Sequence, residues 1–174
     1  MLFMSSFFKG KNLVLGVVVI VAVLIGGFFL VKNITPRPEP SVGVNKDYTV
    51  TAFTADKKAT NGQLILKLTD AKITNSLLVQ GKLAKPINGK MFLVLNMEIE
   101  NPYKVSLYAF PVELFRLVRD DGQKFASSVH QGTVQIHPNS TKKSNVGFVI
   151  LPSDKKFKVE VGDLGNQKTL EITF

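Results

Sequence analysis

The chain has no cysteine, no tryptophan and only two histidines among its 174 residues. Without cysteine there is no disulfide framework, thiol nucleophile, iron–sulfur cluster, thiolate zinc site or lipid attachment through a thiol. A Ser–His–Asp arrangement needs a histidine, which leaves His130 and His137, and no G-x-S-x-G sequence accompanies either. Their separation of seven does not suit i,i+4 metal ligation on a helix, and on a strand an odd spacing puts them on opposite faces. Both read as loop or edge residues. A phosphate-cradling glycine loop is also missing. Acidic residues are the scarcer charge: 13 Asp and Glu against 22 Lys and Arg give a net charge of +9. The basic residues are spread along the chain, with the tightest groups at Lys142-Lys143 and at Lys155-Lys156 with Lys158. No aromatic stripe is interleaved with them, so no nucleic-acid partner is expected. They read as a solvated surface that blunts strand edges, with weak attraction to anionic lipid or an acidic polymer as the alternative.

What the chain does have is one long apolar run. Leu13 to Val31 reads LVLGVVVIVAVLIGGFFLV, without a charge or a strongly polar group. A helix of this length nearly matches a ~30 Å hydrocarbon core. Its β-branched residues are mediocre helix formers in water, but lipid forces backbone hydrogen bonds to close within the segment. The run is longer than a signal peptide's apolar stretch of about 7–15 residues. It ends in Phe28, Phe29, Leu30, Val31 and Lys32 rather than in small residues. An uncleaved membrane anchor is therefore expected. Lys9 and Lys11 precede it while Lys32, Arg37 and Lys46 follow, so flanking charge does not set its orientation. The short tail favours an outward domain. Ala22 and Gly26 have the small-xxx-small spacing that lets two membrane helices approach.

Composition changes sharply after Lys32. Pro36, Pro38 and Pro40 alternate with other residues, as in an extended polyproline-like spacer. The expected organisation is a tail at 1–12, a transmembrane helix at 13–31, a proline-rich linker at 32–47 and one domain at 48–174. A domain of that size buries a core without disulfides or metals.

From Tyr48 onward the pattern is that of strands. Met91, Leu93, Leu95, Met97 and Ile99 alternate with Phe92, Val94, Asn96, Glu98 and Glu100, a second set that turns polar along the strand. The same period of two runs through Leu64, Leu66 and Leu68, through Phe115 and Leu117, and through Val146, Phe148 and Ile150. It returns at Phe157, Val159 and Val161 and at Leu170, Ile172 and Phe174. Asn61-Gly62, Asn88-Gly89, Asp121-Gly122 and Gly165-Asn166 read as turns. Pro102, Pro111, Pro138 and Pro152 fall near strand ends, where a missing N–H is tolerated. Roughly seven to nine short strands and no helix longer than two turns predict an all-β sandwich.

Few side chains suggest chemistry. Copper capture by a histidine with Met91 or Met97 is set against the alternation of both methionines into the core. Asp120-Asp121 beside Gly122 lacks the spaced oxygen ligands of a calcium loop and reads as a turn, as do Asp154 and Asp163. Glu98, Glu100 and Glu113 would have to converge in space to act as paired carboxylates. Asn33-Ile34-Thr35 and Asn139-Ser140-Thr141 match the glycosylation pattern. Tyr108, Phe110 and Pro111 cluster around Ala109 and read either as a contact surface or as an inward-packing strand. Nothing here assigns a catalytic, cofactor-binding or metal-binding residue, and no cofactor is expected.

Three stretches carry a resemblance: GKMFLVLNMEIEN at Gly89–Asn101, FRLVRDDGQKF at Phe115–Phe125 and HPNSTKKSNVGFVIL at His137–Leu151. An alternating strand ends in Asn, a Leu-x-x-x-Asp-Gly hairpin follows, and a proline-containing loop leads into a Val-x-Phe-x-Ile strand. Together they resemble the telokin-like, immunoprotective extracellular domain family. The resemblance implies an immunoglobulin-like sandwich of the cell surface, commonly membrane anchored and without assigned catalysis. Glu100-Asn101-Pro102 is also similar to the Asn-Pro pair of water-stress and hypersensitive-response sandwiches, but Tyr103-Lys104-Val105 replaces that family's short polar residues. The expected protein is a single-pass, extracytoplasmic binding or structural module that works by protein contact, not an enzyme. The alternative is an accessory subunit of a membrane complex whose helix makes the main contact.

Overall fold

A computed structural model describes residues 39–87 and 89–174. The expected tail, transmembrane helix and most of the spacer, with Asn33, lie outside the described residues, as does Asn88. Residues Glu39–Phe174 form one compact unit with its own hydrophobic core, the mark of a segment that folds by itself.

The long strands are β1 (Ser41–Phe53), β2 (Ala59–Thr74), β5 (Met91–Asn101) and β11 (Ser140–Ile150). Shorter ones are β3 (Leu77–Val79), β4 (Lys82–Ala84), β6 (Leu107–Ala109), β7 (Phe115–Val118), β8 (Lys124–Phe125), β9 (Val129–His130) and β10 (Val134–Ile136). Two more, β12 (Lys156–Val161) and β13 (Lys168–Thr173), close the chain. One helical turn, α1 (Pro111–Leu114), opens on proline, whose missing N–H is free of cost in the first turn.

A seven-stranded sheet runs in the order β10-β6-β1-β2-β5-β11-β9, and a four-stranded sheet runs β13-β12-β7-β8. Every pairing is antiparallel. The core gathers Leu64, Leu66, Leu93, Leu95, Ile99 and Phe148 from the large sheet with Phe115, Val159 and Ile172 from the small one. This is an all-β sandwich, as the alternation predicts. The strand count exceeds the expected seven to nine because strands of two or three residues are too short to show a period.

Two expectations are corrected. The domain does not begin at Tyr48, because β1 starts at Ser41 and pairs with Lys72 of β2. A register shift between Gly43 and Lys46, with Asn45 at φ 48°, breaks the alternation and makes 41–47 look like spacer. Asn61-Gly62 is not a turn either: it lies inside β2, and the chain reverses at 54–58 with Lys57 at φ 60°. The other proposed turn glycines, Gly89, Gly122 and Gly165, all have positive φ.

A second bulge, between Leu68 and Asp70, flips the phase of β2. Leu64, Leu66 and Leu68 face the core before it, and Ala71 and Ile73 after it. Side chains lock the bulge: Asn96 Nδ2 donates to Asp70 Oδ2 at 2.7 Å, and Thr69 Oγ1 donates to Asp70 Oδ1 at 2.9 Å.

The β3–β4 hairpin lies over the outer face of the large sheet. Its turn residues, Gln80 and Gly81, have φ of 48° and 78°, the paired positive values of a type I′ turn. Leu77, Val79 and Ala84 pack on Phe92, Val94, Val129 and Val149 in a second small core. That is why Phe92 and Val94 are apolar while Glu98 and Glu100, farther along the same face, are not. Beyond the hairpin, register aligns Asp47, Lys67, Glu98 and Lys143 across four strands as alternating charges.

Candidate binding surfaces

The residues that suggested chemistry are dispersed and engaged in structure. His130 sits on β9, where its Nδ1 accepts the Gly132 N–H at 3.0 Å, while His137 is exposed in the β10–β11 turn. Met97 is buried in the core and Met91 packs against it, so neither methionine meets a histidine at a surface. Asp121 Oδ1 accepts the Gln123 N–H at 2.9 Å and closes its turn, and Asp154 Oδ2 does the same for Leu151 at 3.0 Å. Glu98 pairs with Lys143 at 3.5 Å across β5 and β11, while Glu113 lies on α1 and Glu100 is exposed near the end of β5. Among the described residues no group of three or more His, Asp or Glu is placed to hold a metal ion. Burial pushes the Tyr48 phenol above its ordinary value of 10.0, consistent with its place in the core. Asn139 is exposed at φ 48°, with its N–H donating to Tyr103 O at 3.0 Å.

Asp163 does more than end a strand. From the β12–β13 turn its Oδ2 accepts both the Thr51 N–H at 2.9 Å and the Thr51 hydroxyl at 2.8 Å, tying the small sheet to β1. Asn101, wholly buried, is the corresponding knot at one end of the large sheet. Its Nδ2 donates to Val105 O at 2.8 Å and to Ile136 O and His137 O at 3.1 Å, and its Oδ1 accepts the Tyr103 N–H at 3.0 Å. Local backbone bonding by Asn101 is expected from sequence, but its reach to the β10–β11 turn is not.

Asn101 fixes the 102–106 loop, and that loop builds a largely apolar surface concavity at this end. Tyr103, Val105, Leu107 and Tyr108 face Thr54 and Ala55 across a groove of about 540 Å³. The Tyr103 ring lies along β2 beside Gly62, where even a Cβ would meet it at an ordinary contact distance of 3.5 Å. The Tyr103 hydroxyl then accepts the Gln63 N–H at 3.1 Å. Of the cluster proposed around Ala109, Tyr108 lines this groove, Ala109 is buried and Phe110 stacks edge-on with Phe53 at 5.0 Å. The cluster is thus divided between the groove wall and the domain interior. Tyr103, Val105 and Gly62 were not singled out as surface residues, and only the placement of Asn101 before Pro102 hinted at an ordered loop.

These features define a two-sheet β-sandwich domain with a tyrosine-lined groove at one end. No family model matches the chain, and no curated protein sequence matches it. Among solved structures it is similar to a conserved hypothetical protein from Bacillus anthracis, with TM-score 0.53 and 17% identity over 80% of this chain and 100% of that one. It is also similar to an uncharacterized β-sandwich protein from Clostridium difficile, with TM-score 0.48 and 16% identity over 78% of this chain and 99% of that one. A functionally unknown protein from Listeria monocytogenes gives TM-score 0.40 and 10% identity over 76% of this chain and 89% of that one. The first likeness shows a shared fold and nothing further.

Proposed function

We propose that this chain is a membrane-anchored, extracytoplasmic binding module that works by protein–protein contact and not by catalysis. It would be an immunoglobulin-like sandwich of the telokin-like, immunoprotective type held at the cell membrane by residues 13–31. Nucleic acid and cofactors have no part in this reading.

The observation that carries the proposal is the position of the groove. The described chain starts at one end of β1, and Phe53 and the groove lie at the other, roughly 40 Å away for a strand of thirteen residues. An anchor preceding β1 leaves that far end free for a partner. An exposed Tyr103 and a half-buried Tyr108 on a rigid frame suit protein contact, since tyrosines offer large amphipathic area with little side-chain entropy to lose.

A photo-crosslinking amino acid placed at Val105 in the full chain in its native membrane tests the proposal. A discrete protein adduct from that position, lost when Tyr103 and Tyr108 are changed to lysine, is the expected result. Adducts that form only from positions within 13–31 would transfer the contact to the helix and favour the accessory-subunit reading. Activity on a small substrate by the purified full chain would overturn the non-catalytic assignment.

A further inference from the structure

The β3–β4 hairpin carries apolar residues on the side turned away from the core. Leu77, Val79 and Ala84 face inward, so by strand alternation Leu78 and Leu83 face outward, and they are register partners. They are 60% and 62% exposed, and Ile87 just beyond is 78% exposed. These are branched aliphatic side chains on a fixed support. Gln131 holds the hairpin to β11, its Nε2 donating to Leu78 O at 2.9 Å and to Asn145 Oδ1 at 3.0 Å. The Gln80 backbone N–H donates in turn to Gln131 Oε1 at 3.1 Å. The leucines therefore cannot turn inward without breaking this clasp.

The charges that the hairpin segment itself carries are of one sign. Residues 77–90 contain Lys82, Lys85 and Lys90 and no Asp or Glu, and all three lysines are exposed. The hairpin also stands at the end of the domain where the described chain starts. The Ile73 N–H donates to Pro40 O at 2.9 Å, and the Thr74 hydroxyl, three residues before Leu77, hydrogen-bonds the Glu39 carboxylate. Residues 32–38, fully extended, reach at most about 25 Å. A chain anchored by residues 13–31 thus keeps this end of the sandwich within reach of the bilayer.

From these three observations we infer that the β3–β4 hairpin is a lipid-contact element, inserting Leu78, Leu83 and Ile87 at the surface of an anionic bilayer while Lys82, Lys85 and Lys90 bind its headgroups. The inference rests on the anchored reading above. Aliphatic residues flanked by lysines are the combination that peripheral membrane contacts use, with area and charge acting together.

Because the chain lacks cysteine, Leu78→Cys supplies a unique thiol for a nitrobenzoxadiazole label, with Lys58→Cys at the far end as control. The full chain is reconstituted in phosphatidylcholine vesicles with and without phosphatidylglycerol, and carbonate extraction reports separately on the anchor. The expected result is blue-shifted emission from position 78, quenched by doxyl-labelled lipid when phosphatidylglycerol is present, with water-like emission from position 58. Lys82→Gln, Lys85→Gln and Lys90→Gln together should lower the immersed-to-free ratio about a hundredfold, at about fivefold per lysine. These are exposed positions, so the far-UV circular dichroism should not change. Water-like emission at position 78 in a carbonate-resistant chain would overturn the inference and leave the anchor standing. Shielding that tracks protein density and ignores phosphatidylglycerol would assign the patch to a second copy. Release by carbonate would remove the anchor and this inference with it.

Discussion

Replacing Asn101 should unfasten one end of the sandwich, and the identity of the replacement should matter more than its size. The amide has two N–H groups that serve three carbonyls, so one is shared between Ile136 O and His137 O, both at 3.1 Å. Its oxygen satisfies the Tyr103 N–H. Alanine removes three hydrogen-bonding groups from a wholly buried site, a loss of about 3 kcal/mol at about 1 kcal/mol each. Against a typical domain stability of about 5–15 kcal/mol this is a large fraction. Aspartate is nearly isosteric yet should cost more, because a carboxylate oxygen would then face carbonyl oxygens in a buried site. Urea unfolding of residues 39–174, followed by far-UV circular dichroism since there is no tryptophan to report, measures both variants. The expected order of stability is Asn, then Ala, then Asp, with acid narrowing the Ala–Asp gap as the carboxyl regains a donor proton. An aspartate variant as stable as the native chain, or more stable than the alanine variant, would refute the assignment of Nδ2 to the three carbonyls.

Two further tests address how the outer elements are held. Gly147→Ala places a Cβ 2.6 Å from Val129 Cγ2 and 3.2 Å from Leu77 Cδ2, so Val129 must shift and Leu77 must give way, loosening the packing of β9 and the hairpin on β11. The expected cost is about 1–3 kcal/mol, with faster amide exchange in residues 77–84 and relief by Val129→Ala; unchanged exchange there would refute the packing. Thr51→Val and Asp163→Ala should couple in a double-mutant cycle by about 1 kcal/mol, since both remove the Thr51 hydroxyl–Asp163 bond while the Thr51 N–H bond is lost only with Asp163. Strict additivity in urea midpoints would mean that the hydroxyl bond contributes nothing to stability.

Much of the fold was legible because alternation survives wherever a strand is long and one face is buried. Met91–Asn101 is read correctly from its period alone, since β5 pairs on both sides with little interruption. Legibility fails at bulges. At Asn45 and Thr69 an extra residue shifts the phase, so Ser41–Asp47 looks like spacer and Ala71 and Ile73 fall out of step with Leu64, Leu66 and Leu68. It fails again at Asn61-Gly62, where the dipeptide favours a turn but tertiary packing prevails. Tyr103, 41 residues later, lies beside this glycine and its hydroxyl accepts the Gln63 N–H, and no local rule sees that contact.

The surfaces are harder to read, and for a definite reason. The groove joins 54–62 to 103–108, segments brought together only by the pairing of β1 with β2 and by the reach of Asn101. Sandwich loops converge through topology, so their chemistry is scattered in sequence even when it is contiguous in space. The hairpin differs, because its outward leucines follow from parity once a single fact is known. Leu77-Leu78-Val79 is apolar throughout, and nothing in composition separates the three residues. With Gln80-Gly81 as a two-residue turn, Leu78 must stand opposite Leu83, and Leu77 opposite Ala84. Small Ala84 and inward Leu77 then belong to the sheet side, which forces two leucines into solvent beside three lysines. Gln-Gly is a weaker turn signal than Asn-Gly, so the parity that exposes Leu78 and Leu83 is faint in the sequence.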